Sequence, residues 1–234
     1  DELGSIISKA LDDPFYGIRL MALENIPLES ANAEVFDKVA ALAKNDPHSE
    51  VRSLAISLLV EFDHPQAAII AKAALSARPY NVVAAGLTSL AEIDPAESRE
   101  VVGQLESETN EQIVSAIGRI YASAEDVKYL PYFDKNMENV DGFSAISFYE
   151  NYAQLLLSGT EKDLSMGINR LQAIGTNMGQ SPWRRIASIK TLSEIKGELD
   201  GDSIEGSLEK ISKAIAGIKA AETNPQLKSI YQQF

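Results

Sequence analysis

Polar and apolar residues alternate along this chain with a helical period, and the pattern is clearest in Asp46-Pro47-His48-Ser49-Glu50-Val51-Arg52-Ser53-Leu54-Ala55-Ile56-Ser57-Leu58-Leu59. Val51, Leu54, Ala55, Leu58, Leu59 and Phe62 fall at i, i+3, i+4, i+7, i+8 and i+11, which is one stripe on a helix. Asp46 is suited to cap such a helix and Pro47 to occupy its first turn, where a missing N–H costs nothing. The same rule predicts helices from Gly4 to Leu11, to about Ile26, from Asn32 to Lys44, Gln66 to Ala77, Asn81 to Ile93, Pro95 to about Glu106 and Asn110 to Ala122. Pro27-Leu28-Glu29-Ser30, Asp63-His64-Pro65 and Arg78-Pro79 are the turns between them.

The punctuation repeats. Asp13-Pro14-Phe15-Tyr16-Gly17-Ile18-Arg19-Leu20-Met21-Ala22 carries Asp, Pro, an aliphatic, Arg and Ala in the order and with the gaps of the Asp46 segment. From Pro14 to Pro47 is 33 residues and from Pro47 to Pro79 is 32, with another unit opening near Thr109. A period of this size means stacked helix pairs, none able to bury its apolar face alone. Asp-Pro followed by aliphatic-Arg and then Ala is similar to the short form of the HEAT repeat family. That resemblance implies an all-α, right-handed α-α superhelix, with Asp13, Pro14, Arg19, Asp46, Pro47 and Arg52 as structural residues and a ladder of Asp and Arg between neighbouring units. Arg78 and Ala84 stand at the Asp and Arg places of the third copy, so the ladder is expected to break there.

After residue 122 the period blurs. Tyr129, Tyr132, Phe133, Phe143, Phe148, Tyr149 and Tyr152 put seven of the sixteen aromatics in one region. They read either as core, filling a wedge where the stack changes direction, or as a wall against a ligand. Pro131 is expected to interrupt a helix, Phe143 to Leu157 and Glu161 to Met178 to be helices, and Ser181-Pro182 to start one that copies the motif around Trp183, Arg185 and Ser188. Ser203 to Ala221 carries a seam of Ile204, Leu208, Ile211, Ile215 and Ile218, suited to packing on a preceding helix or to a dimer. A short helix after Asn224-Pro225 ends the chain as a cap. The expectation is one domain over 1–234, with regular repeats about 10–122, irregular ones about 123–222 and a capping helix at 225–234.

Composition narrows the chemistry. A net charge of −13 argues against nucleic acid as a partner. No apolar run nears the ~18 residues of a membrane span, and the start does not resemble a signal peptide; cytoplasm and periplasm both stay open. There is no cysteine, and the two histidines, His48 and His64, lie in turns without zinc-binding spacing. No nucleophile elbow is present, Gly167, Gly175 and Gly179 do not form a phosphate loop, and pairs such as Glu205 and Glu209 fit a solvated helix face. No catalytic, cofactor or metal residue is therefore assigned.

The run Ala41-Leu42-Ala43-Lys44-Asn45-Asp46-Pro47-His48-Ser49-Glu50-Val51-Arg52, preceded by Phe15-Tyr16-Gly17-Ile18-Arg19, resembles the C-terminal helical region of bacterial M1-family zinc aminopeptidases. The resemblance is best over residues 10–60. It implies a noncatalytic domain that walls the substrate chamber of an upstream catalytic domain in the same polypeptide, with the zinc in that domain and none here. Met137-Glu138-Asn139 matches part of that family's amine-binding motif, but Lys135 takes the glycine place and the match is read as coincidence. The opening at Asp1, without Met, fits a piece cut from a longer protein. An alternative is an independent HEAT-like scaffold binding a protein or peptide on its concave face. A third reading, a heme- or bilin-related lyase subunit of the short-HEAT type, lacks a cysteine for attachment. On either of the first two, the second helices of the pairs, starting near Phe15, His48, Tyr80, Asn110, Phe143 and Trp183, line the binding side. Arg119, Tyr149, Tyr152, Arg184 and Arg185 are the expected contact residues, aromatic surface for side chains and guanidinium for carboxylate or carbonyl; the alternative is that Tyr149 and Tyr152 are core and the arginines pair with acids on adjacent helices.

Overall fold

A computed structural model describes residues 2–27, 32–199 and 205–234. Among the described residues there are fourteen α-helices, one 3-10 turn and no strand, as the all-α reading expects. The expected loop at Leu28, Glu29 and Ser30 and the expected helix start at Ser203 and Ile204 lie outside the described residues. The chain divides into two compact units, Asp1–Glu108 and Thr109–Phe234.

The first unit holds α1 (Glu2–Leu11), α2 (Tyr16–Glu24), α3 (Ala33–Asn45), α4 (Ser49–Glu61), α5 (Ala67–Ala74), α6 (Tyr80–Ile93) and α7 (Pro95–Val102). The helices form two layers: α1, α3 and α5 pack side by side, and α2, α4 and α6 do the same against them. The core between the layers is aliphatic and small, with Leu11, Val35, Val39, Val51, Ala55 and Leu59 fully buried. Burying each of the larger of these side chains stabilises the unit by about 1.5–3 kcal/mol.

The Asp-Pro pairs act in two ways. Asp94 caps its helix directly, accepting from the N–H groups of Ala96 (3.1 Å) and Glu97 (2.9 Å), with Pro95 in the first turn. Asp13 and Asp46 lie two residues before the N-cap positions, which Phe15 and His48 occupy. Each accepts from the N–H two residues on, Phe15 or His48, at 2.8 Å, and the helix begins only after that residue. This frees the Asp46 carboxylate for the ladder. Arg19 donates to it through Nε (2.7 Å) and Nη2 (2.9 Å), a two-pronged buried ion pair between successive helix pairs. Arg19 also donates to the Asp13 carbonyl, and Arg52 repeats that bond on the Asp46 carbonyl. Arg78, at the next Asp position, is exposed.

The second unit holds α8 (Glu111–Ala122), α9 (Leu130–Asn136), α10 (Gly142–Leu157), α11 (Glu161–Thr176), α12 (Pro182–Glu198), α13 (Glu205–Ala221) and α14 (Pro225–Tyr231). Pro131 does not interrupt a helix, as the sequence suggests; it lies in the first turn of α9, where its missing N–H is harmless. Helix α10 packs between α8 and α12, and α13 lies on α11 and α12. The centre is aromatic: Phe133 meets Phe148 at 4.7 Å between ring centroids and Tyr152 at 5.8 Å. Gly118 on α8 makes this possible, since a Cβ there would lie 2.6 Å from the Phe148 ring. The apolar seam of α13 buries Ile211, Ile215 and Ile218 within this unit, and Leu227 and Tyr231 of α14 are buried as well.

Candidate interaction surface

Of the five expected contact residues, three are interior. Tyr149 and Tyr152 are buried, their hydroxyls donating to the Met137 carbonyl (3.2 Å) and to Asp134 (2.9 Å). Burial drives both phenols well above the usual tyrosine range, so both stay neutral donors. Arg185 is buried too, lying 3.5 Å from the Glu222 carboxylate and donating to the Met178 sulfur. Burial pushes the Glu222 carboxyl up. The Asn224 N–H, the charge of Arg185, the Tyr231 hydroxyl and the Thr223 N–H together bring it below the ordinary value. These three residues belong to the structure of the unit. Arg119 is exposed on α8.

Arg184 is tied to its own fold. Its Nε donates to the Val140 carbonyl (2.8 Å), Nη2 to the Glu138 carbonyl (2.6 Å) and Nη1 to Gln180 (3.1 Å). Gln180 in turn donates to the Glu138 carboxylate at 3.0 Å. The guanidinium thus pins the loop before α10 to the start of α12. Ser181 completes the clamp: it accepts from the Arg184 N–H to cap α12 and donates to Asp141, the cap of α10, at 2.5 Å. Burial raises the Asp141 carboxyl, but the Ser181 hydroxyl, the Gly142 N–H and the charge of Arg184 outweigh it and keep it ionised.

What the clamp holds is a pair of exposed rings. Gly142 has φ +57, a conformation a side chain would strain, and it turns the chain so that Phe143 points outward. Phe143 is 78 % exposed and Trp183 40 %, and their ring centroids lie 5.1 Å apart at an interplanar angle of 45°. Two neighbouring apolar rings left to water on a braced frame are the feature here that folding does not explain. The first unit shows the same habit. Phe15, His48 and Tyr80 occupy one repeat position at the starts of α2, α4 and α6, and all three are exposed. Tyr16 stacks flat on His48 at 4.1 Å. Sequence reasoning named where these helices start but placed its bets on residues deeper in them. The usable signal was an aromatic recurring directly after the turn, outside the apolar stripe.

Other chemistry is sparse. Among the described residues no group of three or more His, Cys, Asp or Glu side chains could hold a metal ion. His64 accepts from the Gln66 N–H within its turn. A groove of ≈ 590 Å³ in the second unit is lined by Asp134, Lys135, Met166, Asn169 and Arg170, and Arg170 is already engaged by the Asp134 carbonyl. No helix among the described residues is long and apolar enough to cross a membrane.

No family model matches the chain. No curated protein matches it either. Among solved structures, it is similar to a chain of "The structure of the complex of CpcE and CpcF of phycocyanin lyase from Nostoc sp. PCC7120", with 12% identity over 94% of each chain and a TM-score of 0.48. A similarity at that level carries no statement about what this chain binds or acts upon. The aminopeptidase reading is corrected: no family model and no curated protein ties this chain to an M1-family peptidase or to an upstream peptidase domain, and the solved structure found is not one. The physical reason is plain in the fold. Asp13, Pro14, Arg19, Asp46, Pro47 and Arg52, which carried the resemblance, are spent on turns and on bonds within and between helix pairs. Such contacts serve any stack of this kind and do not single out a peptidase.

Proposed function

We propose that this chain is a helical-repeat scaffold whose task is to bind another polypeptide, and that binding rather than catalysis is its own contribution. The observation that carries this reading is the Phe143–Trp183 pair, exposed to water yet braced by Arg184, Ser181 and Asp141. Rigid aromatic surface gives contact area at low entropic cost and is the usual seat of binding energy in protein interfaces. The exposed rings of Phe15, Tyr16 and Tyr80 support the same role for the first unit.

Trp183 is the single tryptophan and therefore a built-in reporter. Peptides selected from a display library on the intact protein should shift its emission to the blue on binding. Their affinity should fall at least tenfold in Phe143→Ala, the scale expected of a central interface aromatic. If the selected peptides leave Trp183 emission unchanged and bind Phe143→Ala as well as the parent, the reading fails.

A further inference from the structure

Where the ladder stops, it leaves an arginine without its acid. Arg19 spends Nη1 on the Asp13 and Pro14 carbonyls, and Nε and Nη2 on the carboxylate of Asp46 in the next pair. Arg52, 33 residues on, repeats the first bond, from Nη1 to the Asp46 carbonyl. Its Nε and Nη2, the two donors that hold a carboxylate in the earlier copy, have no hydrogen-bond partner among the described residues. The cause is Arg78, which stands where the repeat calls for the aspartate and lies exposed.

The vacated place is not filled by another side chain. A cavity of ≈ 180 Å³ opens beside Arg52, walled by Ile70, Ala73 and Ala74 of α5 and Val82 of α6, with Lys44 of α3 also lining it. The Lys44 ammonium donates to Gln66 at 2.7 Å and keeps two further N–H groups. Lys44 and Arg52 line the cavity and Arg78 holds the neighbouring repeat position. They are three of only 8 basic residues in a unit that carries 18 acidic ones, a net of −10.

From this we infer that the cavity is a binding site for a carboxylate carried on a short aliphatic group. The protein shows the recognition itself, since one pair earlier the same two guanidinium donors grip a carboxylate side by side. Ile70, Ala73, Ala74 and Val82 offer aliphatic contact, and the alanines leave room for a small tail. Arg52 is half-buried, so an anion reaching it is attracted more strongly than it would be in open water. Two sources share this chemistry, a free aliphatic acid and the C-terminal residue of a polypeptide. The site lies in the first unit, apart from the aromatic pair of the second, and either can fail without the other.

The test titrates the intact protein with valerate and follows the Arg52 Nε–H signal by NMR. The expected result is a saturable shift at millimolar valerate, absent with pentanol, which has the tail without the charge, and with inorganic phosphate, which has charge without the tail. Arg78→Asp is the deciding variant. It restores the Asp-Pro sequence of the earlier copies, so its carboxylate should take Arg52 and close the site. Valerate binding should weaken about tenfold or more while the melting temperature holds or rises, which separates lost binding from lost fold. A short peptide ending in valine, compared with its C-terminal amide, distinguishes the sources: tighter binding of the free-carboxylate peptide than of valerate assigns the site to a polypeptide terminus, and the reverse to a small acid. No saturation by valerate or by the peptide, equal binding of pentanol or phosphate, or undiminished binding in Arg78→Asp would each overturn the inference.

Discussion

Residues 1–108 pack small aliphatic side chains between two helix layers and join successive pairs through an Arg19–Asp46 ion pair whose backbone setting recurs at Arg52. Residues 109–234 pack Phe133, Phe148 and Tyr152 ring against ring over Gly118, and tie their loops with side chains used once. Charge divides the same way: the first unit is at −10, the second has 16 acidic against 13 basic residues, a net of −3. The contrast teaches how helix pairs keep a common geometry by two routes. The Arg19–Asp46 contact sets the spacing of the first pairs and lets the core there stay generic. Without it, bulky rings of particular shape must fix the spacing themselves.

The largest effect should come from removing the unrepeated part. Phe148→Ala empties the centre of the second unit beside Phe133 and Gly118, and should cost about 3–5 kcal/mol of unfolding free energy. Denaturant unfolding followed by Trp183 emission reads that unit alone, since the tryptophan lies in it. A loss under 1 kcal/mol would mean that the rings are not what sets the packing there.

Next comes the ladder. Asp46→Ala leaves the Arg19 guanidinium buried without its carboxylate, and should cost about 3 kcal/mol, the low end for a broken buried pair. The low end applies because Arg19 keeps its bonds to the Asp13 and Pro14 carbonyls. The effect has a pH signature. Burial raises the Asp46 carboxyl, but the Arg19 bonds, the His48 N–H and the nearby charges bring it below the ordinary value. A depressed folded-state value gives stabilisation that is fully present above the unfolded value, about 3.9, and is lost as pH falls through the folded one. The gap between parent and Asp46→Ala should therefore be flat from about pH 7 to 5 and close as the pH drops below about 4. A gap that widens in acid contradicts the assignment.

The legibility of the chain follows the same division. Asp13, Arg19, Asp46 and Arg52 were readable because one physical contact, written more than once, leaves a spacing that a single sequence can display. The break at Arg78 was readable for the same reason. The second unit offered helices by period and caps, such as Ser181-Pro182, but its residue roles depend on which ring meets which. Tyr149 and Tyr152, which the sequence leaves open between core and ligand wall, are interior, as is Arg185, and Pro131, which reads as a break, lies in the first turn of a helix. The aminopeptidase reading failed at a different point. It treated a packing motif as a family signature, although packing constraints are shared by every stack of the kind.

The smallest effect on stability sharpens the comparison most, because it uses two phenylalanines on one helix. Phe143 and Phe148 both lie on α10, five positions apart, which turns them to different faces. Phe148 is fully buried and Phe143 is mostly in water. Phe143→Ala removes contact with Trp183 but opens no cavity, and leaves the Asp141–Ser181 and Arg184 bonds in place. Its unfolding free energy should stay within about 0.5 kcal/mol of the parent, as for surface positions away from caps and core. A loss above 1 kcal/mol would show that the ring pair helps hold the unit together, and would remove the reason for treating its exposure as functional. An unchanged stability together with the tenfold loss of peptide affinity separates the two roles on one helix: Phe148 holds the unit, and Phe143 faces the partner.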